Sequence, residues 1–297
     1  MDFDAFISQA WNDHADDAAG VAQRLQTQGL ALLSQESQIV PLAHLAHHVW
    51  GEHLGQWQEG LQLQQQLAAL PLCTPGGAAA QGLRRFMASL QLCAGQDGQR
   101  PGLSASDRIR VSAMAAASLA GHDTARALVL FEDALAQADA AKLPDADPYT
   151  RALAATGNGL ACTLEEKPSR SADERRLMIL AAQTARRYWA RAGGWIEIER
   201  AEYRLVKTWL QAGNVAQARQ HAQNCLEIID TQDPPAPALE RFFGWEALSS
   251  VERAAGNATG LAHALAQAQA AFVALEESDR GWCQASLDKL KAVPVQA

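Results

Sequence analysis

Between recurrent turn signals, the apolar residues of this chain return every three to four positions rather than every second one, a period that predicts helices and no sheet. Capping residues place several helix ends. Asp147-Pro148 reads as an N-cap followed by proline in the first turn, opening a helix that runs to about Lys167. Ser171 and Glu174 form a capping box for the next helix, which ends near Gly193-Gly194. Asp233-Pro-Pro-Ala-Pro237 separates another pair. The loops CTPGG (73–77) and GQDGQRPG (95–102) flank a helix over about 80–94 that lacks an evident partner, and a last helix covers about 279–291.

The pattern repeats itself. QAGNVAQARQHAQNCL (211–226) matches AAGNATGLAHALAQAQ (254–269), with Gly213-Asn214 and Gly256-Asn257 lying 43 residues apart. After each glycine, small or apolar residues return at the same offsets: Ala218, Ala222 and Cys225 in one copy, Leu261, Leu265 and Ala268 in the other. Gly55 is followed in the same way by Gly60, Gln64 and Leu67, and Gly121 by Ala127, Phe131 and Ala134, one residue later throughout. Steps of four and three place each trio on one helix face.

A helix, a glycine-containing turn and a second helix with a small–large–small face resemble the tetratricopeptide repeat. The resemblance is good over roughly 105–140 and 194–275, weaker over 37–70 and architectural elsewhere. The repeat here is longer than that family's unit of about 34 residues. It implies an all-α fold: a right-handed α-α superhelix, or solenoid, of antiparallel helix pairs. Because no pair buries its apolar face alone, the expectation is one continuous domain over 1–297 with about five to six repeats. N-terminal helices would occupy 1–36 and repeats 37–275, degenerate over 77–104. The helix at 279–291 would cap the open end.

Composition narrows the function classes. The chain of 297 residues is 48% hydrophobic, enough for a core. Its net charge of −8 argues against a nucleic-acid or anionic-membrane surface as its main purpose. Charge is uneven: residues 1–60 hold eight acids and one base, whereas residues 151–230 hold twelve bases and nine acids. The basic segment is the place to look for an anionic ligand. Five cysteines, odd in number and without a C-x-x-C pair, fit free thiols in a reducing cytosol. The acidic start lacks the order of a signal peptide, and no apolar run approaches the roughly 18 residues of a membrane span. The expected location is cytoplasmic.

Two constellations are candidates for chemistry. In LAHLAHHVWGEHLGQW (42–57), a helical wheel puts His44, His47, His48 and Gly51 on one side and Leu42, Leu45, Ala46, Val49 and Trp50 on the other. His44, His48 and Glu52 continue a row at four-residue steps, a spacing that metal ligands can use. The chain lacks H-E-x-x-H, and a catalytic metal would need a third ligand held rigidly with outer support, so neither a metal nor a cofactor is assigned. The register stays open: with Gly55 as the turn, His48 packs opposite Gly60, whereas a close-packed Trp50-Gly51 turns His44, His48 and Glu52 to an inner face. The second candidate, 185–209, interleaves aromatics with bases. Arg200, Tyr203 and Lys207 form one row with Arg204 beside it, and Trp195 is a candidate anchor. In the tetratricopeptide family such a row lines the concave groove, and Arg200 with Arg204 resembles part of a carboxylate clamp. The family's asparagine partners do not appear: the comparable faces offer Ile109, Ser112, Ala116 and Phe243, Glu246, Ser250. The competing reading is an exposed helix on which Glu197, Glu199 and Glu202 pair with these arginines.

The resemblance therefore implies a non-enzymatic scaffold holding a protein or peptide segment, acidic or with a free carboxylate. A small-molecule or signal-peptide sensor acting on a separate chain is the alternative, and a metal-dependent enzyme built on the His/Glu row comes third. No catalytic residue is assigned, and the oligomeric state is left open.

Overall fold

A computed structural model describes residues 2–96 and 102–292. Among them the chain is all-helical, 79% helix without a strand, and its fourteen α-helices pack in adjacent pairs. They fall into two compact units, Met1–Tyr149 and Thr150–Ala297, whose boundary lies in the first turn of a continuous helix.

The first unit contains α1 (Phe3–Asp13), α2 (Ala18–Arg24), α3 (Ile39–His48), α4 (Trp57–Ala68), α5 (Ala78–Cys93), α6 (Ala105–Leu119) and α7 (Thr124–Ala141). Two of these end in a wider π turn: α2 runs into Leu25–Gly29, and α3 into Val49–His53. Phe3 and Phe6 of α1 bury themselves among Leu25, Leu42, Leu45 and Trp50, so the N-terminal helices share the core of α3. The segment expected to lack a partner does not lack one. α5 packs on α3, α4 and α6, and Arg126 at the start of α7 donates to its last carbonyls, Leu92 at 2.8 Å and Cys93 at 3.2 Å. Its pairing was hidden because α5 is joined to α6 by a long connection instead of a short glycine turn. Part of the loop read over 95–102, residues 97–101, lies outside the described residues.

The second unit contains α8 (Pro148–Glu165), α9 (Ala172–Ala192), α10 (Trp195–Gln211), α11 (Val215–Asp230), α12 (Ala238–Ala254), α13 (Ala258–Val273) and α14 (Glu277–Ala292). Here α10 packs on α9, α11 and α12, and α12 packs on α11, α13 and α14. The repeated turns have one geometry. Gly213 and Gly256 take left-handed φ values of 77° and 68°, which a side chain disfavours. Asn214 and Asn257 then cap α11 and α13 by accepting from the N–H of Gln217 and Gly260. The small residues that follow are buried, Ala218, Ala222 and Cys225 completely. Among the described residues, no helix is long and apolar enough to cross a membrane.

Gly157-Asn158-Gly159 lies within α8, and its two glycines differ in kind. A Cβ on buried Gly157 would meet the Ala181 carbonyl oxygen at 2.6 Å, so α8 and α9 cross there almost backbone to backbone. A Cβ on exposed Gly159 would meet nothing within 4 Å. Gly157→Ala is therefore expected to destabilise by about 1–3 kcal/mol through overpacking. Gly159→Ala is expected to stabilise by about 0.5–1 kcal/mol through helix propensity alone. Urea denaturation of both variants checks this pair, and equal effects would refute the assigned crossing.

Candidate functional site

The basic row of α10 is assembled, but its bases do not converge on a shared vacant position. Each meets a glutamate of a neighbouring helix. Arg204 Nη1 donates to Glu165 Oε2 of α8 at 2.5 Å, and the Thr208 hydroxyl donates to the other oxygen. Arg200 Nη2 donates to Glu240 Oε1 of α12 at 2.7 Å. Tyr203 Oη and Lys207 Nζ, each at 2.9 Å, take one oxygen apiece of Glu246 on α12. Arg200 and Arg204 thus lean toward different helices, and the two-arginine clamp suggested by their spacing is not formed. Trp195, half-buried at the first position of α10, sits five residues before Arg200 and so about 140° from it around the axis.

The carboxylates on α10 also act between helices. Glu202 accepts from Arg186 of α9 and from His221 and Asn224 of α11, at 2.5, 2.6 and 3.2 Å. Burial works against its charge, but the His221, Arg186 and Asn224 hydrogen bonds outweigh it and hold the carboxyl below its ordinary range. Glu197 caps its own helix by accepting from the Gly194 N–H at 2.8 Å. On α12, buried Glu252 accepts from Arg219 of α11 at 3.0 Å and from Asn257 at 2.7 Å. The pairing anticipated along one exposed helix, of Glu197, Glu199 and Glu202 with the arginines beside them, gives way to pairs between helices: Arg200 with Glu240, Arg204 with Glu165 and Glu202 with Arg186. A carboxylate in that position is costly unless donors meet it.

Glu199 is the exception. It is 1% exposed, its Oε1 has no hydrogen-bond partner, and burial together with neighbouring Glu240 pushes it up to about 7. Between its ordinary 4.5 and about 7, the folded chain holds a proton that the unfolded chain has released. Its stabilising contribution is full below 4.5 and is lost as pH rises through about 7, a change of about 3 kcal/mol. Glu199→Gln should keep the neutral shape, so its stability should gain on that of wild type between about pH 5 and about pH 8. Urea titrations at both pH values check this; parallel stability curves would contradict it.

An aromatic ladder continues the face of α10. The Lys207 ammonium lies 5.1 Å from the Tyr203 ring centre. Tyr203 meets Phe243 of α12 edge-on at 5.6 Å, and Phe243 stacks on Trp282 of α14 at 5.3 Å. Trp282 is 56% exposed, one of few large hydrophobic side chains open to solvent. Sequence reasoning took α14 only as an end cap and missed Trp282. The available signal was a tryptophan next to Cys283 but off the stripe of Cys283, Leu287 and Leu290 that α14 buries.

In the first unit, the π turn settles the register of 42–57. A Cβ on Gly60 would lie 2.9 Å from Trp50 Cβ, so Trp50, not His48, is the bulky residue opposite this glycine. The proposed histidine face also divides. His47 is buried and bonded to Ser89 Oγ at 3.0 Å, and burial pushes its pKa down to about 4, leaving a neutral ring. His44 is exposed beside Trp11 and stacks on Phe86. His48 Nδ1 lies 3.1 Å from Glu52 Oε1; burial opposes the Glu52 charge, but the His48 contact holds its carboxyl below its ordinary range. Comparisons with protein-family models, curated proteins and solved structures give no match to this chain.

Proposed function

We propose that this chain is a helical-repeat binding protein of tetratricopeptide type, non-enzymatic and cytoplasmic, that holds a protein or peptide segment against the second unit. The carrying observation is the ladder of Tyr203, Phe243 and Trp282 across three alternate helices. Stacked aromatics held by their own neighbours lose little freedom on binding and provide the anchors common at interfaces. The charges narrow the partner's chemistry. Arg204 is 19% exposed at its side chain and committed to Glu165, so it serves as a strut between helices. Arg200 is 61% exposed and keeps its outer edge available for one carboxylate of the partner. Because glutamates offset the cations of this row, bulk charge does not recruit the partner. Apolar contact on the ladder, with one oriented ion pair at Arg200, does.

A peptide enriched from a random display library on the intact protein provides the probe. Trp282→Ala is expected to weaken its binding by about thirtyfold, near 2 kcal/mol, while lowering the thermal midpoint by only a few degrees, because the side chain is largely exposed and loses one stacking contact. Arg200→Glu should weaken peptides carrying a carboxylate and spare their amide counterparts. Failure to enrich any peptide, or unchanged binding in both variants, would sink the proposal.

A further inference from the structure

His48 and His53 are five residues apart, and on an α-helix they would point about 140° away from each other. The π turn over Val49–His53, marked by the bond from Leu54 N–H to the Val49 carbonyl at 3.0 Å, brings them onto one side. Their Nε2 atoms approach to 3.1 Å. A third imidazole arrives from His14 at the end of α1. One ring nitrogen from each of His14, His48 and His53 lies within 4.8 Å of the other two.

The hydrogen bonds at the far edges of the rings fix which nitrogens are free. A carbonyl can only accept, so His14 Nδ1, at 2.5 Å from the Trp11 oxygen, carries hydrogen and leaves Nε2 with its lone pair. The Glu52 carboxylate does the same for His48, whose Nδ1 lies 3.1 Å from Oε1. His53 is exposed and exchanges its proton with water, so its Nε2 becomes a lone-pair donor when hydrogen moves to Nδ1. One ring backed by a carbonyl and another by a carboxylate is the outer support that metal-binding imidazoles use. Asp13, beside His14, is not part of the set, because Arg24 holds it at 2.7 Å.

From this geometry we propose that His14, His48 and His53 form a three-imidazole site for a divalent first-row transition cation such as zinc, with a fourth position open to water. Three neutral nitrogens suit zinc, nickel or copper and not calcium or magnesium, which take oxygen ligands. Ligands about 2.0–2.1 Å from a tetrahedral ion stand roughly 3.3 Å apart, so the His48–His53 approach is already near the required spacing. Rotation of half-buried His14 or exposed His53 closes the remainder. The bound ion would tie the end of α1 to the end of α3, fastening the N-terminal helix to the core of the first unit.

Calorimetric titration of the untagged full chain with zinc tests this. Expected are saturable one-to-one binding and a rise in the thermal midpoint that a chelator reverses. Weakening of at least tenfold is expected in His53→Gln and in His14→Gln, and of about 10–100-fold in Glu52→Gln, which keeps all three ligands. Trp11, whose ring centre lies 5.1 Å from that of His14 and 5.2 Å from that of His48, should be quenched by copper in wild type and not in the double His14→Gln, His53→Gln variant. A helical circular dichroism spectrum of the exposed-site variant His53→Gln separates ligand loss from unfolding. No saturable zinc binding, or binding unchanged in the double variant, overturns the site.

Discussion

A carboxylate taken out of water must be met by donors or must keep its proton, and the second unit is organised around glutamates in that position. Glu202, Glu240, Glu246 and Glu252 are each nearly buried and each held by a cation from another helix. Glu165 is held in the same way by Arg204. Such pairs contribute little net stability compared with well-packed apolar groups, but losing one member strands a buried charge. They tie each of these helices to a particular neighbour, in a unit whose buried apolar residues are rich in alanine. Alanine-rich faces such as Ala218, Ala222 and Ala268 let helices approach closely but carry little shape to distinguish one partner from another.

This pairing separates the side chains that join helices from those left facing outward. Bases that looked like a ligand-binding row are largely consumed in joining α8, α10 and α12. What remains outward is the free edge of Arg200 and the aromatic ladder ending at Trp282. In the first unit, a similar separation arises from the π turn after α3, which places Trp50 in the core opposite Gly60 while gathering His48 and His53 at the surface.

The helices and turns were legible in the sequence because their causes are local. Ser171 with Glu174, Gly213 with Asn214 and Gly256 with Asn257 each act within a few residues, and each is realised as expected. Partners fixed by tertiary contact were not legible. Glu240 and Glu246 lie about forty residues from the bases they hold, and no local spacing announces that Arg200 and Arg204 diverge. The histidine cluster was legible only in part for a related reason. An α-helical period groups His44, His48 and Glu52, of which His48 and Glu52 do meet, whereas the wider turn adds His53 beside His48 and folding adds His14 from another helix.

That the basic row of α10 is built into the fold is tested most directly by a double-mutant cycle on Glu165 and Arg204. Unfolding free energies of wild type, Glu165→Gln, Arg204→Met and the double variant isolate the pair's coupling. A coupling of about 1–3 kcal/mol, with Arg204→Met alone more destabilising than the double variant, is the expected result. Additive effects within about 0.5 kcal/mol would show that Arg204 is not a strut between helices and would return it to the candidate binding face.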